Sequence, residues 1–335
     1  MSSKKNNVYF SRNGLFIIAC FVLSIFISTN CFSENTGADF LKIGIGARPV
    51  GLGNVFTAIA NDVTAMQWNV GGLAQLTQRE VSAMHSQWLA DTNLDYIGFA
   101  VPLITQSPNH LISGVMGGSV IYLSQGELEG RDANRQLTNS FGASDMALTF
   151  SYSKVIARNK ETKQSQGSSL MAGINMKIIQ QKIETEHATG IAFDVGILSR
   201  LFSQDGPFSA GLSIQNIGPQ MKFISEGYNL PLTVTTGLGY NIGGVTVGLD
   251  VKQQVYENRT IVSFGTEFLP ISSLALRAGY LMNAVNSKQL IPNKEEATGL
   301  GAGFGIKLFG TQTDYSFVPY GVLGNAHRVS FSAKF

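Results

Sequence analysis

The sequence predicts an all-β protein: a transmembrane antiparallel β-barrel of about 14 strands with a small N-terminal plug. Three observations point there. The chain ends on an alternating strand, in which Val329, Phe331, Ala333 and Phe335 share one face and Arg328, Ser330, Ser332 and Lys334 the other. A strand with one apolar and one polar face fits between lipid and a wet lumen, and a last strand of this kind closes a barrel against the first. Charged residues are only 14% of the 335, with 37 glycines and a mean hydropathy of +0.11, against about 25% charge in soluble domains. Beyond residue 33, no apolar run approaches the roughly 20 residues that a membrane-spanning helix needs.

Taken from the N-terminus, Lys4, Lys5 and Arg12 precede an apolar run from Leu15 to Ile27 and then small and polar residues through Ser33. Residues 1–33 read as a signal peptide, cleaved after Ser33, which would export the chain to the outer membrane. Lipidation at Cys31 is the rival reading, disfavoured by Asn30 before it. Removal of that segment takes away three basic residues and turns the formal charge from +2 to −1. It also takes Cys20 and Cys31. No basic balance then argues for nucleic acid, and no cysteine remains for a disulfide or a thiolate metal site.

Strands are expected near 79–89, 93–103, 110–124, 143–157, 168–182, 188–201, 207–218, 231–241, 243–256, 259–269, 272–282, 297–308, 312–321 and 326–335. Leu232, Val234, Leu238 and Tyr240 oppose Thr233, Thr235, Gly237 and Gly239; Leu300, Ala302, Phe304, Ile306 and Leu308 alternate with glycines and Lys307. The same parity makes Asp250, Lys252 and Arg277 lumen-facing candidates. Long polar links at 125–142, 219–230 and 283–296 follow strands three, seven and eleven, so all three emerge at one end. Links after even strands are mostly tight, as at Ile242–Gly243 and Leu269–Pro270, with Asn159–Gly167 the exception. A two-sheet sandwich explains the alternation but neither the one-sided loops nor the terminal Phe335.

Residues 34–78 lack barrel periodicity and read as a compact plug entering the lumen from the periplasmic end, ahead of a barrel over 79–335. Asn54–Ala60 and Asp62–Met66 are expected as short helical turns, and Trp68–Ala74 as a tight turn. Here the chain resembles the PorV/PorQ proteins, relatives of the FadL-type outer-membrane barrels. The resemblance rests on Phe40-Leu-Lys-Ile-Gly-Ile-Gly-Ala-Arg-Pro-Val-Gly-Leu-Gly, on Trp68-Asn-Val-Gly-Gly-Leu-Ala and on the closing block from Asp314 to Phe331. His85, Trp88, Asp91, Tyr96 and Pro102 are similarly spaced to that family's first hairpin. Where the family has Asn-Pro-Ala after the tryptophan, this chain has Asn69-Val70-Gly71. The resemblance implies Arg48, Asp62, Trp68 and Asn69 as plug-turn residues, and His327, Arg328, Phe331 and Phe335 as residues of the barrel-closing strand.

The remaining motifs carry little chemistry. Gly44-x-Gly46 lacks the βαβ setting of a nucleotide fingerprint, so close backbone packing is the better account. His85, His110, His187 and His327 lie on different strands and loops, with no metal-ligand spacing. No nucleophile motif appears, so no enzyme and no cofactor are expected. The resemblance implies a protein-handling role at the cell surface, with exported proteins or secretion-machinery components as partners. The alternatives are a FadL-like channel taking up hydrophobic small molecules and a purely structural protein of the outer-membrane lipid.

Overall fold

The structure is a computed structural model that describes residues 36–89, 91–104, 112–131, 134–137, 140–158, 169–201, 207–284 and 299–335. The expected signal peptide with both cysteines lies outside these residues, as do Asn159–Gly167, His110 and most of the 283–296 link.

Sixteen strands follow one another along the described chain: β1 (Glu80–Gln87), β2 (Thr92–Ile104), β3 (Ile112–Leu128), β4 (Phe141–Arg158), β5 (Ser169–Ile183), β6 (Glu186–Leu201), β7 (Phe208–Ile217), β8 (Met221–Phe223), β9 (Glu226–Tyr228), β10 (Thr233–Ile242), β11 (Val245–Gln254), β12 (Arg259–Ile271), β13 (Leu274–Ala284), β14 (Leu300–Leu308), β15 (Thr311–Pro319) and β16 (Asn325–Lys334). Fourteen of them form one closed antiparallel barrel; β8 and β9 make a separate two-stranded hairpin in the loop between β7 and β10. The barrel strands match the fourteen expected, and that hairpin is the element the sequence pattern did not announce. Three-residue strands are too short to display a period of two.

Closure is direct. β16 pairs with β1 from Glu80 opposite Lys334 to Gln87 opposite His327. Arg79 and Phe335 exchange backbone hydrogen bonds of 3.1 and 3.0 Å beyond the last ladder pair. The expected faces hold: Val329 and Phe331 are each 48% exposed, while Arg328 is 1% and Ser330 5% exposed. Around the wall Ile97, Phe99, Phe150, Ile174, Phe264 and Phe304 also point outward, half exposed. Burying one such side chain is worth about 1.5–3 kcal/mol, so a continuous outer band of them calls for an apolar surround.

The end carrying Glu80 and Lys334 is called here the terminal end, and the opposite one the distal end. The three long links all emerge at the distal end, as their parity requires. The wall is uneven, because β3 to β6 run 15–18 residues while β7, β10, β11 and β14–β16 run 9 or 10. On the tall side the β8–β9 hairpin leans inward, and Met221 and Leu230 pack with Ile121, Ile179 and Ala188 of the wall.

Residues 36–78 fill the lumen, but their course differs from the expected approach from the terminal end. Thr36 and Gly37 already lie at the distal end. Gly37 N–H donates to the Asn229 carbonyl at 2.9 Å, and Thr36 forms a parallel bridge with Asn229. The chain therefore threads the barrel from the distal end to Arg79. Of the expected turns, Val63–Gln67 is a 3-10 helix capped by Asp62, whose Oδ1 accepts from Thr64 N–H. Trp68–Ala74 resolves into a 3-10 helix over Val70–Gln75 capped by Asn69. Asn54–Ala60 is a run of non-helical turns; the α-helical turn is α1 (Ala47–Gly51), inside the glycine-dense block. Pro49 suits a first helical turn because its missing N–H is not needed there.

Close backbone contact decides where the plug meets the wall. A Cβ on Gly279 would sit 2.1 Å from the Leu52 carbonyl carbon and 2.2 Å from Gly53 N, and Gly53 itself has φ +67°. Only glycine fits either place. Gly279→Ala is expected to dislodge the plug while leaving the ladder intact. Limited trypsin digestion would then cut after Lys42 in the variant and not in the parent, with unchanged heat-modifiable gel mobility; equal protease resistance would count against this packing.

Candidate functional site

The lumen is organised around buried charge. The guanidinium of Arg48, on α1, donates from Nε and Nη2 to the two carboxylate oxygens of Glu267 on β12, each at 2.9 Å. Its Nη1 donates to Asp62 Oδ2 at 2.9 Å and to Asn61 Oδ1 at 2.6 Å. Arg277 on β13 joins from the wall, donating to Glu267 at 2.7 Å and to Asp314 of β15 at 2.6 Å. Two guanidiniums and three carboxylates thus form one chain linking plug to wall. Bidentate pairing and full hydrogen bonding are the conditions under which a buried ion pair is tolerated.

Higher in the lumen, wall side chains satisfy the plug's backbone, which has no ladder of its own. Asp250 of β11 accepts from the N–H groups of Phe56 and Thr57 at 3.0 and 2.9 Å. Asn69 donates to the carbonyls of Thr57 and of Ile197 in β6. Asn175 of β5 donates to the Met66 carbonyl, and the Trp68 indole N–H to that of Ile45. A second N-terminal contact is ionic: Lys42 pairs with Glu257, in the distal turn between β11 and β12, and with Asp39. Burial pushes the Glu257 carboxyl up, but the Lys42 ammonium and the Thr36 hydroxyl outweigh it and hold it below the usual carboxylate range.

The plug separates two main cavities. The terminal one, about 280 Å³, is bordered by Arg48, Glu267, Arg277, Arg200 and Lys307. The distal one, about 310 Å³, opens between plug and rim on the short-walled side. Trp68, Trp88, Tyr320, Ile43, Ile261 and Leu281 give it apolar walls, while Lys252, Asn54 and Gln254 give it polar ones. Trp88 meets Tyr320 edge-on at 5.1 Å and lies under the Arg328 guanidinium at 4.6 Å; Lys252 Nζ sits 5.3 Å from the Trp68 ring.

The sequence-predicted residues fall into three groups. Arg48, Asp62 and Arg277 share the ion network. Asn69 and Asp250 hold the same residue, Thr57, from two sides. Trp68 and Lys252 border the distal cavity. Outside these three groups are the closing-strand residues: Arg328 faces inward over the Trp88 ring, whereas His327, Phe331 and Phe335 lie on the outer side, His327 bonded to the Tyr315 hydroxyl at 2.7 Å. Sequence reasoning did not single out Glu267 as a partner of Arg48. Its signal was an acid at an inward position of a strand, in register with Ser263 and Gly265. Trp88 stood out among the residues spaced like the family's first hairpin; it and His85 are at the distal rim, Trp88 on the lumen side and His85 outside against Asp95.

Removing one member of a buried pair costs about 3–5 kcal/mol. Glu267→Gln is expected to lower unfolding free energy by about that amount in urea titrations of detergent-solubilised protein; a change below 1 kcal/mol would contradict the network's role. At the distal strap the sign is set by the depressed Glu257 carboxyl: its contribution is present above the ordinary carboxylate value and lost as pH falls through the lower folded value. A spin label at Leu41→Cys, which leaves Thr36, Lys42 and Glu257 in place, should therefore gain mobility as pH falls through that lower value, and at neutral pH in Glu257→Gln. Label mobility independent of pH in both proteins would refute the strap.

No curated protein matches the chain in sequence. Among solved structures, the TodX deltaS2S3 mutant monoaromatic hydrocarbon channel is similar over 87% of this chain and 99% of its own, with TM-score 0.54 and 12% identity. The Ralstonia pickettii toluene transporter TbuX is similar over 87% of this chain and 98% of its own, with TM-score 0.54 and 11% identity. At such identities the likeness establishes the fold alone, a closed antiparallel β-barrel. The family-level result covers nearly the whole length: residues 27–334 match the model described as "Uncharacterised protein family (UPF0164)", and the chain belongs to that family.

Proposed function

We propose that the protein is an outer-membrane channel for small, largely apolar molecules, with the distal cavity as capture site and the plug as gate. The terminal end then faces the periplasm and the distal end the exterior, the usual sense for barrels with short turns at the terminal side. The observation that carries this reading is the distal cavity itself: about 310 Å³, bordered by two tryptophans, a tyrosine and five aliphatic residues among polar ones, and closed below by the plug. Small-ligand sites are concave, mostly apolar and furnished with a few placed polar groups. Hydrocarbon transport by TodX and TbuX, proteins of like fold, supports the same choice.

The PorV/PorQ resemblance pointed first to protein handling. Neither the solved neighbours nor any described surface favours that role over transport. Of the link between β7 and β10, Met221 and Leu230 pack onto the wall, while Lys222, Ile224 and β9 are exposed.

Passage past the plug requires part of it to move, so fixing it in place should stop transfer. A Cβ built on Gly239 of β10 lies 3.6 Å from Ala58 Cβ, within the range a disulfide spans, and the Ser209 hydroxyl and an Ile59 methyl, at 2.5 and 2.6 Å from it, must turn aside to admit the bridge. Ala58→Cys with Gly239→Cys, in protein reconstituted into liposomes, is expected to abolish uptake of radiolabelled toluene when oxidised and to restore it on reduction. Uptake unchanged by oxidation, with the disulfide verified by mass spectrometry, would overturn the gate.

A further inference from the structure

We propose that the distal cavity is built for a ligand with a neutral hydroxylated head, such as a diol, polyol or sugar, on an apolar body. This rests on the reading of that cavity as the capture site. Several polar residues around it are matched within the protein, Lys42 by Glu257 and Asp39, Gln67 by Ser119 and Asn216 by Lys177, with Arg259 engaged as well, but three are not. Gln254 is 7% exposed, and its Oε1 has no hydrogen-bond partner; Asn54 Oδ1 is buried and equally without one. Both residues border the cavity. Lys252, two residues before Gln254 on β11, points to the same side and makes no ion pair among the described residues. The next inward residue, Asp250, accepts the plug amides of Phe56 and Thr57 through Oδ2 while its Oδ1 is buried without a partner, and neither a hydrogen bond nor an ion pair joins it to Lys252 among the described residues.

The cavity therefore presents two buried acceptors that need donors and one ammonium that needs an acceptor. A hydrocarbon supplies neither. A carboxylate suits Lys252 but is acceptor-only, so it leaves both amide oxygens unmet. A hydroxyl donates and accepts. Residues two apart on one strand are spaced about 7 Å, so Lys252 and Gln254 match two hydroxyls of one head better than a single one. Ile43, Ile261 and Leu281 supply apolar surface for the body.

The chain has two tryptophans, Trp68 and Trp88, and both border this cavity, so intrinsic fluorescence reads its occupancy. Protein in lipid nanodiscs is titrated with octane, 1,2-octanediol and octanoate at matched concentrations in the lipid. The diol is expected to bind about tenfold more tightly than octane. Gln254→Leu and, separately, Lys252→Met should each weaken the diol about tenfold, the loss of roughly one hydrogen bond. Octane should bind both variants at least as tightly as the parent, because the wall has become more apolar, and this also reports that the variants fold. A diol no tighter than octane, or octanoate tighter than the diol, overturns the hydroxylated head while leaving the channel standing. Absence of binding by all three overturns the cavity as a ligand site as well.

Discussion

The Arg48 guanidinium stands inside a barrel, out of bulk water, and the rest of the molecule is arranged so that it can. A charge left alone there would be prohibitive. Glu267 meets it in bidentate fashion from the wall, Asp62 from the plug, and Arg277 with Asp314 balances the wall side. Because Arg48 sits on α1, this fastening fixes one end of the plug against β12. Asp250, accepting two plug amides, fixes its middle against β11. Between these points glycine backbones of plug and wall come so close that no side chain could intervene.

Those fastenings divide the lumen. Below them lies a charged cavity, and above them one that is aromatic and amide-rich. The N-terminal strap reaches the distal rim and is held there by Lys42 and Glu257, so the plug is restrained at both ends of the barrel. The restraints differ in kind. The deep network is desolvated and bidentate, whereas the strap is partly exposed and open to screening. Motion that admits a ligand is thus expected to begin at the distal strap rather than at Arg48.

Much of the barrel was legible in the sequence because a period of two survives in every long strand. Val329 and Phe331 against Arg328 and Ser330, or the apolar stripe against glycines in β14, state lumen and lipid side without further help. Loop parity added the end from which the long links emerge. The plug was less legible, since short 3-10 turns carry no periodicity and its conformation is set by wall side chains far off in sequence. Asn54–Ala60 looked helical by composition, yet its amides are taken by Asp250, nearly two hundred residues away. The same long-range dependence hid the partnership of Arg48 with Glu267. It also hid the distal cavity, whose walls come from the plug, β11 to β13 and the rim turns bearing Trp88 and Tyr320.

On this reading the fastened plug closes the passage between the two cavities. Planar-bilayer conductance tests it most directly. The protein should insert without unitary conductance steps, and a variant lacking residues 36–78 should show stable steps in the same bilayers. Steps of equal size in both proteins would contradict the account, because the lumen would then conduct with the plug in place.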